Sequence, residues 1–391
     1  MEYDEIYVDN AATTALSDTA LTQMLPYFKT LYGNPSSAHS LGARSKKAVE
    51  GARRDIAEAL GARNNEIFFS SGGTESDNWA LFGNAMMQHK KGRHIITSSI
   101  EHSAVYRTTE YLASKGYRIT YLPADSYGRI SPDQLESAIC DDTILVSIML
   151  ANNELGTIQP IKELCEIAHR HQILFHTDAV QAVGHIPIDV RELGVDLLSL
   201  SSHKFRGPKG VGALYVRLGV ALPPMIFGGG QEKNKRSGTE NVPGIVGMAA
   251  ALQEAVRKMD SSVPRITAMR DRLIRAALQI DGCMLTGHPQ QRLPGLASFV
   301  FSGLASKAIV AALSNVGILA SSGSACSSGS TELSRSLQQS FEHSGEVRHE
   351  SEYGALRISL NECNTEEEID YIIQQLPNVI AGLKAARHPL F

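Results

Sequence analysis

The sequence has 391 residues, of which 43% are hydrophobic and 20% are charged, and its formal net charge is −4. This length can bury a large core and predicts one large and one smaller domain. The acidic balance argues against a general nucleic-acid-binding protein, and no apolar run is long enough to indicate a membrane-spanning helix. The acidic first residues contain no apolar signal core, so we expect a cytoplasmic protein.

Short apolar runs alternate with amphipathic stretches through the first half of the chain. Such alternation predicts an α/β fold with a mainly parallel sheet. The predicted strands lie within residues 66–72, 94–102, 143–154, 172–181 and 196–204, and predicted helices cover residues 74–91 and 161–171.

The pattern starts again near residue 263. A predicted helix at 263–280 is followed by a strand at 297–303 and a helix at 306–317, which indicates a second, smaller α/β domain. We therefore predict a large domain over residues 15–262 and a small domain formed by residues 1–14 and 263–391.

Polar residues and glycines follow five of the predicted strands where each strand ends. In open parallel sheets, ligands bind beyond the carboxyl ends of the strands, so these residues are expected to line one crevice. In chain order they are Gly72, Gly73 and Thr74, then His102, then Asn152, Asn153 and Glu154, then Asp178 and Gln181, and finally His203 and Lys204.

The segment SSGGTES (70–76) joins a predicted strand to a predicted helix. Free backbone N–H groups and the helix dipole would make this junction an anion site. A helix start that is simply capped by Thr74 explains the same residues equally well. The junction lacks the Gly-Lys-Ser/Thr of a Walker P-loop, and no GxGxxG opens the first strand to support a nicotinamide site.

Asp178 and Lys204 each follow an apolar strand. Taken singly, they could be a capped turn and a basic surface turn. A buried carboxylate needs a cationic partner, which a protonated pyridine nitrogen supplies, and a lysine in a pocket can form an imine with an aldehyde. Together with a phosphate anchor, these two residues indicate pyridoxal phosphate as the cofactor.

Five cysteines occur at irregular spacing, which argues against a disulfide framework and against a zinc ribbon. Cys326 lies among small residues in SSGSACSSGS (321–330), so it is a candidate nucleophile that accepts sulfur, or else an idle cysteine in a surface loop. His169, His171 and His176 straddle a predicted helix end and the next strand. Their side chains should diverge, and no metal site is predicted.

In order along the chain, nine segments resemble the signature segments of NifS/IscS-type cysteine desulfurases, from about residue 6 to about residue 375. The resemblance implies the fold-type I aminotransferase fold, pyridoxal phosphate, a homodimer, and conversion of L-cysteine to L-alanine with a persulfide left on the enzyme. The segments are YGNPSSAH, SGGTESDN, IEHSAV, ANNELGTIQP, HTDAVQAVG, SSHKFRGPKG, RSGTENV, SGSACSS and RISL.

The resemblance also implies roles for individual residues. Lys204 would bind the cofactor aldehyde, His102 would stack on the pyridine ring and move protons, and Cys326 would be the nucleophile. No resident metal is implied, although Cys326 could be a transient iron–sulfur ligand. Asp178 would bind the ring nitrogen and Gln181 the ring hydroxyl. The phosphate would be held by Gly73, Thr74, Ser201, His203 and the partner subunit's Thr239. Asn153 would contact the cofactor and, together with Arg357, would bind the substrate carboxylate, near Asn34.

A selenocysteine lyase, a plain transaminase, and a non-catalytic sulfur carrier or scaffold on the same fold are alternatives. The persulfide would pass to an acceptor protein for iron–sulfur cluster assembly or another sulfur-using pathway. The sequence departs from the family after RISL, where it reads NECN (361–364), and this leaves the acceptor open. The small residues around Cys326 predict that residues 324–335 are weakly ordered.

Overall fold

A computed structural model describes residues 5–323, 333–342 and 353–387. The strands are β1 (Ile6–Tyr7), β2 (Ile67–Ser70), β3 (His94–Ser98), β4 (Arg118–Leu122), β5 (Thr143–Ser147), β6 (Leu174–Asp178), β7 (Leu197–Ser201), β8 (Gly212–Val216), β9 (Cys283–Leu285), β10 (Leu296–Ser302), β11 (Ile318–Leu319) and β12 (Tyr353–Ser359). The helices are α1 (Asp18–Met24), α2 (Pro26–Lys29), α3 (Ser40–Ala59), α4 (Gly73–Gln88), α5 (Ser103–Ser114), α6 (Pro132–Ala138), α7 (Ile161–Arg170), α8 (Val190–Leu193), α9 (Gln231–Asn234), α10 (Val242–Ala277), α11 (Ser306–Ser314), α12 (Arg335–Glu342) and α13 (Glu366–Arg387).

The largest sheet has seven strands in the order β2-β8-β7-β6-β5-β3-β4. The strands from β7 to β4 run parallel, whereas β8 runs antiparallel to both of its neighbours. All residues of β3, β5 and β7 are buried, as expected for parallel strands covered by helices on both faces. The prediction of an α/β fold with a mainly parallel sheet is confirmed.

Two smaller sheets lie toward the C-terminal part of the chain. Strands β12, β10 and β9 form an antiparallel sheet, and β1 pairs in parallel with β11. The N-terminal segment therefore begins beside C-terminal strands before it reaches the large sheet. In the described ranges, no helix combines the length and the apolar character needed to cross a membrane.

Helix α10 contributes to two separate hydrophobic cores. Residues from its first half, such as Met248 and Leu252, pack in the core around the large sheet. Residues from its second half, such as Ile266 and Leu273, pack with the antiparallel sheet and α13. The two cores thus share one continuous helix.

The predicted helix start at residue 263 is wrong, because α10 begins at Val242 and continues through Pro264. A proline is favoured in the first turn of a helix, so Val263–Pro264 has the sequence pattern of a start. The predicted boundary between residues 262 and 263 falls inside α10, and the division into two domains stays a prediction.

A buried ion pair joins α3 to the segment that follows β8. Arg53 donates two hydrogen bonds to the Glu232 carboxylate, at 2.8 and 2.7 Å. Glu232 also accepts from the Phe69 N–H at 2.9 Å, and Arg53 donates to the Ile67 carbonyl at 2.8 Å. Both charged side chains are only 3% exposed, so each depends on the other for compensation of its charge.

We expect Arg53→Met to lower the free energy of unfolding by about 3–5 kcal/mol, because it leaves the Glu232 carboxylate buried without a cation. Urea unfolding would measure the loss. The double variant Arg53→Met/Glu232→Gln should recover most of it, and Arg107→Met on the exposed face of α5 is the matched control. An unchanged unfolding midpoint for the single variant would contradict the role of this pair.

Candidate active site

A cavity of about 490 Å³ lies at the carboxyl ends of β3, β5, β6 and β7. The crevice expected from the strand ends is therefore one continuous space. Ten of the predicted site residues line it, namely Gly73, Thr74, His102, Asn153, Asp178, Gln181, Ser201, His203, Lys204 and Arg357. The structure brings these ten together, while their individual roles stay predictions.

Lys204 ends a short 3-10 helix, Ser202–Lys204, that follows β7 directly. Its Nζ donates to the carbonyl oxygens of Ala11 and Ala12, at 2.7 and 2.8 Å. Gln181 Nε2 also donates to the Ala11 carbonyl, at 2.9 Å. The N-terminal segment thus forms one wall of the cavity and holds the lysine amine at that wall.

Asp178 is the last residue of β6 and is 6% exposed. Burial raises the pKa of its carboxyl, whereas the nearby His102 and Lys204 charges lower it. His102 caps α5, since its Nδ1 accepts from the Ala104 N–H at 3.1 Å, and a neutral imidazole there carries its proton on Nε2. Additional positive charge in the cavity would favour the ionised Asp178 carboxylate.

Helix α4 starts at the cavity with Gly72 as N-cap and without a side-chain cap. The alternative in which Thr74 caps this helix is wrong, because Thr74 is its second residue. A Cβ on Gly73 would lie 2.5 Å from Val180 Cγ2, so the close packing of α4 against this segment requires glycine. The uncapped N–H groups and the helix dipole suit an anion such as phosphate.

Ser201 and His203 also line the cavity. The ring of His203 is fixed by a contact of 3.0 Å between Nδ1 and Thr13 Oγ1. Burial, followed by the charges of Lys204 and Lys209, lowers the pKa of His203 to about 4. This imidazole is therefore neutral at pH 7.

Arg357 lies on β12, is 2% exposed, and lines the cavity. One guanidinium nitrogen donates to the Asn153 carbonyl at 2.8 Å, and another forms an ion pair of 2.7 Å with Asp9. Asp9 precedes the wall formed by Ala11 and Ala12. The guanidinium is thus preoriented by the same N-terminal segment that holds Lys204.

Asn152 and Glu154, which were expected to line the crevice after β5, are buried but do not line the cavity. Three of the residues with predicted individual roles are not brought into the cavity by the described chain. Asn34 is exposed, accepts from the Ser36 N–H at 2.9 Å, and does not line the cavity. Thr239 is exposed and lines a separate cavity of about 60 Å³. Cys326 lies outside the described residues, as do residues 324–332 of the segment expected to be weakly ordered; of the remainder, Leu333 is buried and Arg335 begins α12.

Asp77 lines the cavity and was not predicted from the sequence. It is 1% exposed, burial raises its pKa well above the usual range, and its Oδ1 has no hydrogen bond within the described part of the chain. The sequence contains a sign of this position, because Asp77 follows Gly73 by four residues and therefore shares its helix face. Asp77 was missed because it lies within α4, whereas the sequence search considered residues at strand ends.

Glu101, next to His102, is a second buried acid that the sequence search missed. Its Oε1 accepts from the Ser98 hydroxyl and from the Met149 N–H. Burial is the largest influence and raises the pKa of Glu101 to about 8. The carboxyl is therefore largely protonated at neutral pH.

The three histidines weighed as a zinc site have different partners. His169 bonds Asp196, and His171 bonds Glu136. His176 lies inside the sheet between the hydroxyls of two serines, Ser147 and Ser199. As expected from their spacing, the side chains diverge.

Residues 6–372 match the family model described as aminotransferase class-V. A protein from Methanosarcina thermophila named cysteine desulfurase IscS is 50% identical over 98% of this chain and 94% of its own length. A solved structure described as a NifS-like protein aligns with TM-score 0.90 and 40% identity, and covers 97% of this chain and 100% of its own. Another, described as SspA in complex with cysteine, aligns with TM-score 0.79 and 36% identity, over 92% of this chain and 99% of its own.

The raised pKa of Glu101 predicts a pH-dependent stability. The folded state holds this proton up to about pH 8, whereas an ordinary glutamate loses it near 4.5, so its stabilisation declines as pH rises between these values. Glu101→Gln should gain stability relative to the native chain from pH 5 to pH 8, by at most about 1.4 kcal/mol per pH unit. Urea unfolding at three pH values tests this, and Glu166→Gln on the exposed face of α7 is the control. A stability difference between Glu101→Gln and the native chain that does not change with pH would contradict the prediction.

Proposed function

The chain belongs to the class-V aminotransferase family, and we propose that it is a cysteine desulfurase that uses pyridoxal phosphate. L-cysteine and the thiol of Cys326 would give L-alanine and a persulfide on Cys326. The sulfur atom moves from the substrate Cβ to the enzyme sulfur, and a proton takes its place on Cβ. One C–S bond and the S–H bond of the Cys326 thiol break, while one S–S bond and one C–H bond form.

The observation that carries the proposal is the convergence of a lysine amine, a buried carboxylate and an uncapped helix N-terminus in one cavity. Lys204, Asp178 and Gly73 come from three different strand ends, yet all three line it. A pocket that binds only an amine would need no anion site, and a nucleotide site would need no buried acid. An aldehyde, a basic ring nitrogen and a phosphate on one molecule match all three groups.

The chain's residues fit pyridoxal phosphate in charge and in hydrogen-bonding groups. Gly73 lets α4 pack against Val180, which leaves the uncapped start of this helix at the cavity for a phosphate, and Ser201 and His203 add polar groups to the lining. Asp178 would be stabilised in its ionised form by a pyridinium nitrogen. Gln181 lines the cavity between the strand end and the N-terminal wall, where it could reach a ring hydroxyl.

When bound, pyridoxal phosphate supplies an aldehyde that condenses with amines and a ring that accepts the electron pair left on the substrate Cα. Lys204 would first hold the aldehyde and, once released by the incoming substrate amine, would take the Cα proton on Nζ. The carbonyls of Ala11 and Ala12 hold the amine form of that nitrogen at the cavity wall. As an imine the nitrogen would carry at most one hydrogen and would give up at least one of these two bonds. His102, with Nδ1 occupied by the Ala104 N–H, would exchange protons through Nε2.

The substrate carboxylate would lie against Arg357 and Asn153. Arg357 is already oriented by Asp9 and by the Asn153 carbonyl, so little side-chain entropy is lost when it binds an anion. Asn34 does not line the cavity, so its predicted role near the substrate carboxylate stays a prediction.

The described segment that leads to Cys326 lies beside Arg357. Ser321 exchanges two backbone hydrogen bonds with Arg357, at 3.2 and 2.7 Å. Gly323 follows two residues later, and three further residues can span at most about 11 Å. Attachment beside the carboxylate site supports Cys326 as the thiol that attacks the substrate sulfur.

The proposal includes a homodimer, a cytoplasmic reaction and a protein thiol that accepts the persulfide sulfur. Thr239 supports the dimer, because it is exposed and outside the cavity of its own chain, as a residue that completes the phosphate site of a second copy would be. Transfer onward to iron–sulfur cluster assembly, with Cys326 as a transient ligand, is the proposed use of the sulfur.

Lys204→Ala should abolish both sulfide release and the cofactor absorbance at about 400 nm, because the amine that holds the aldehyde is gone. Reduction with borohydride followed by peptide mass spectrometry should place the cofactor on Lys204 in the native protein. Lys209→Ala is the control, since Lys209 also lines the cavity but is exposed. Loss of the absorbance in the Lys209 variant alone would overturn the assignment.

Cys326→Ser should bind cofactor normally and still change its absorbance on addition of L-cysteine, because the groups that hold both molecules remain. Persulfide labelling and sulfide release should fall to background. Sulfide release at the native rate would favour a lyase in place of a desulfurase with a cysteine nucleophile. Failure of the native protein to take up cofactor would instead indicate a non-catalytic carrier.

A further inference from the structure

A second group of reactive side chains lies at the opposite end of the large sheet from the cavity. His94, Arg118 and Thr143 are the first residues of β3, β4 and β5, and Cys140 and Asp142 lie in the turn just before β5. Because these strands run parallel, their first residues are separated from the cavity by the length of a five-residue strand, about 13–16 Å. The group is therefore independent of the proposed active site.

Three potential metal ligands of this group are close to one another. Cys140 Sγ is 3.0 Å from His94 Nδ1 and 3.3 Å from Asp142 Oδ1, and all three ligand atoms lie within 4.8 Å of one another. In a tetrahedral zinc site, bonds of about 2.0–2.3 Å place neighbouring ligand atoms about 3.3–3.7 Å apart. An expansion of a few tenths of an ångström around Cys140 Sγ would bring its distances to His94 Nδ1 and Asp142 Oδ1 to these values.

The backbone around the group is fixed by short contacts. The His94 N–H donates to the Asp142 carbonyl at 3.0 Å, and a Cβ on Gly92 would lie 2.1 Å from that same carbonyl oxygen. Thr143 Oγ1 accepts from the Cys140 N–H at 3.0 Å. Three ligands on such a framework lose little freedom when they bind a common ion.

Both ring nitrogens of His94 have short contacts. Its Nε2 lies 2.8 Å from Thr120 Oγ1, and a proton donated there leaves a lone pair on Nδ1. The Nδ1 atom lies 2.8 Å from Thr143 Oγ1 and 3.0 Å from Cys140 Sγ, so an ion bound at Nδ1 would displace the Thr143 hydroxyl. The ring is fully buried, whereas Cys140 and Asp142 are partly exposed. The ligand set thus has a rigid interior member and an opening toward solvent.

Arg118 occupies that opening. One of its guanidinium nitrogens lies 2.8 Å from Cys140 Sγ and 2.7 Å from Asp142 Oδ1. The guanidinium compensates the charge of the Asp142 carboxylate, and the thiolate that forms when an ion binds would add a second negative charge. The Arg118 side chain is 51% exposed and can turn into solvent, which would clear the position of a fourth ligand.

We infer that His94, Cys140 and Asp142 form a binding site for a zinc-class divalent cation, with solvent as the fourth ligand and Arg118 as the group that the ion displaces. Thiolate, imidazole and carboxylate together favour Zn²⁺ over Mg²⁺ or Ca²⁺, which prefer oxygen ligands alone. Binding exchanges the thiol proton for a metal–sulfur bond and releases that proton to solvent. The bound ion would join the amino ends of β3 and β5.

Zinc titration of the untagged, cofactor-loaded protein tests the site, with calorimetry and an anomalous difference map at the zinc edge as readouts. We expect one Zn²⁺ per chain, located between His94, Cys140 and Asp142. Cys140→Ser should weaken binding at least a hundredfold and Asp142→Asn about tenfold, while both keep the absorbance of bound cofactor. Affinity should fall as pH is lowered, because the ion competes with the thiol proton.

Arg118→Ala separates a metal site from a thiol that is merely held by a cation. Removal of the competing guanidinium should tighten Zn²⁺ binding at least tenfold, whereas the control Arg107→Ala, on the exposed face of α5, should leave it unchanged. Weaker or unchanged binding in Arg118→Ala would overturn the proposal. So would an anomalous peak elsewhere on the chain, or binding that survives Cys140→Ser.

Discussion

The buried carboxylate of Asp178 sets the electrostatic condition that the rest of the site satisfies. Burial favours its protonated form, whereas nearby positive charge and the hydrogen bond from the Val180 N–H favour the ionised one. Lys204 supplies part of that charge, and a pyridinium nitrogen would supply the remainder. Burial also raises the pKa of Asp77 and Glu101, so two more acids around the cavity hold their protons tightly. A cofactor that brings a cation to this point also stabilises the fold.

The N-terminal segment connects this electrostatic centre to the substrate side. Over a few residues it pairs Asp9 with Arg357 and offers the carbonyls of Ala11 and Ala12 to Lys204. A shift of this segment would therefore move the amine and the guanidinium together. Since the segment begins with β1 paired to β11, the position of both groups depends on contacts in the C-terminal part of the chain.

Much of the cavity could be predicted because parallel strands impose a simple rule: residues just beyond their carboxyl ends must meet. That rule found His102, Asp178 and Lys204 without any knowledge of tertiary contacts. It could not find Asp77, which enters from a helix face, or the N-terminal wall, whose residues are ordinary alanines. The false helix start at Val263 has a different cause. The local sequence has the pattern of a helix start, whereas packing in both cores keeps α10 continuous through Pro264.

The placement of the other cysteines explains why the proposed chemistry needs a thiol on the segment around Cys326. Within the described ranges, no cysteine lines the cavity. Burial raises the thiol pKa of Cys165 and Cys283 to about 12, which leaves almost no thiolate at neutral pH. Cys140 is more open but is held at the opposite end of the strands. Sulfur transfer therefore requires a thiol whose chain attachment lies at the cavity, and the Ser321–Arg357 pairing provides that attachment for Cys326.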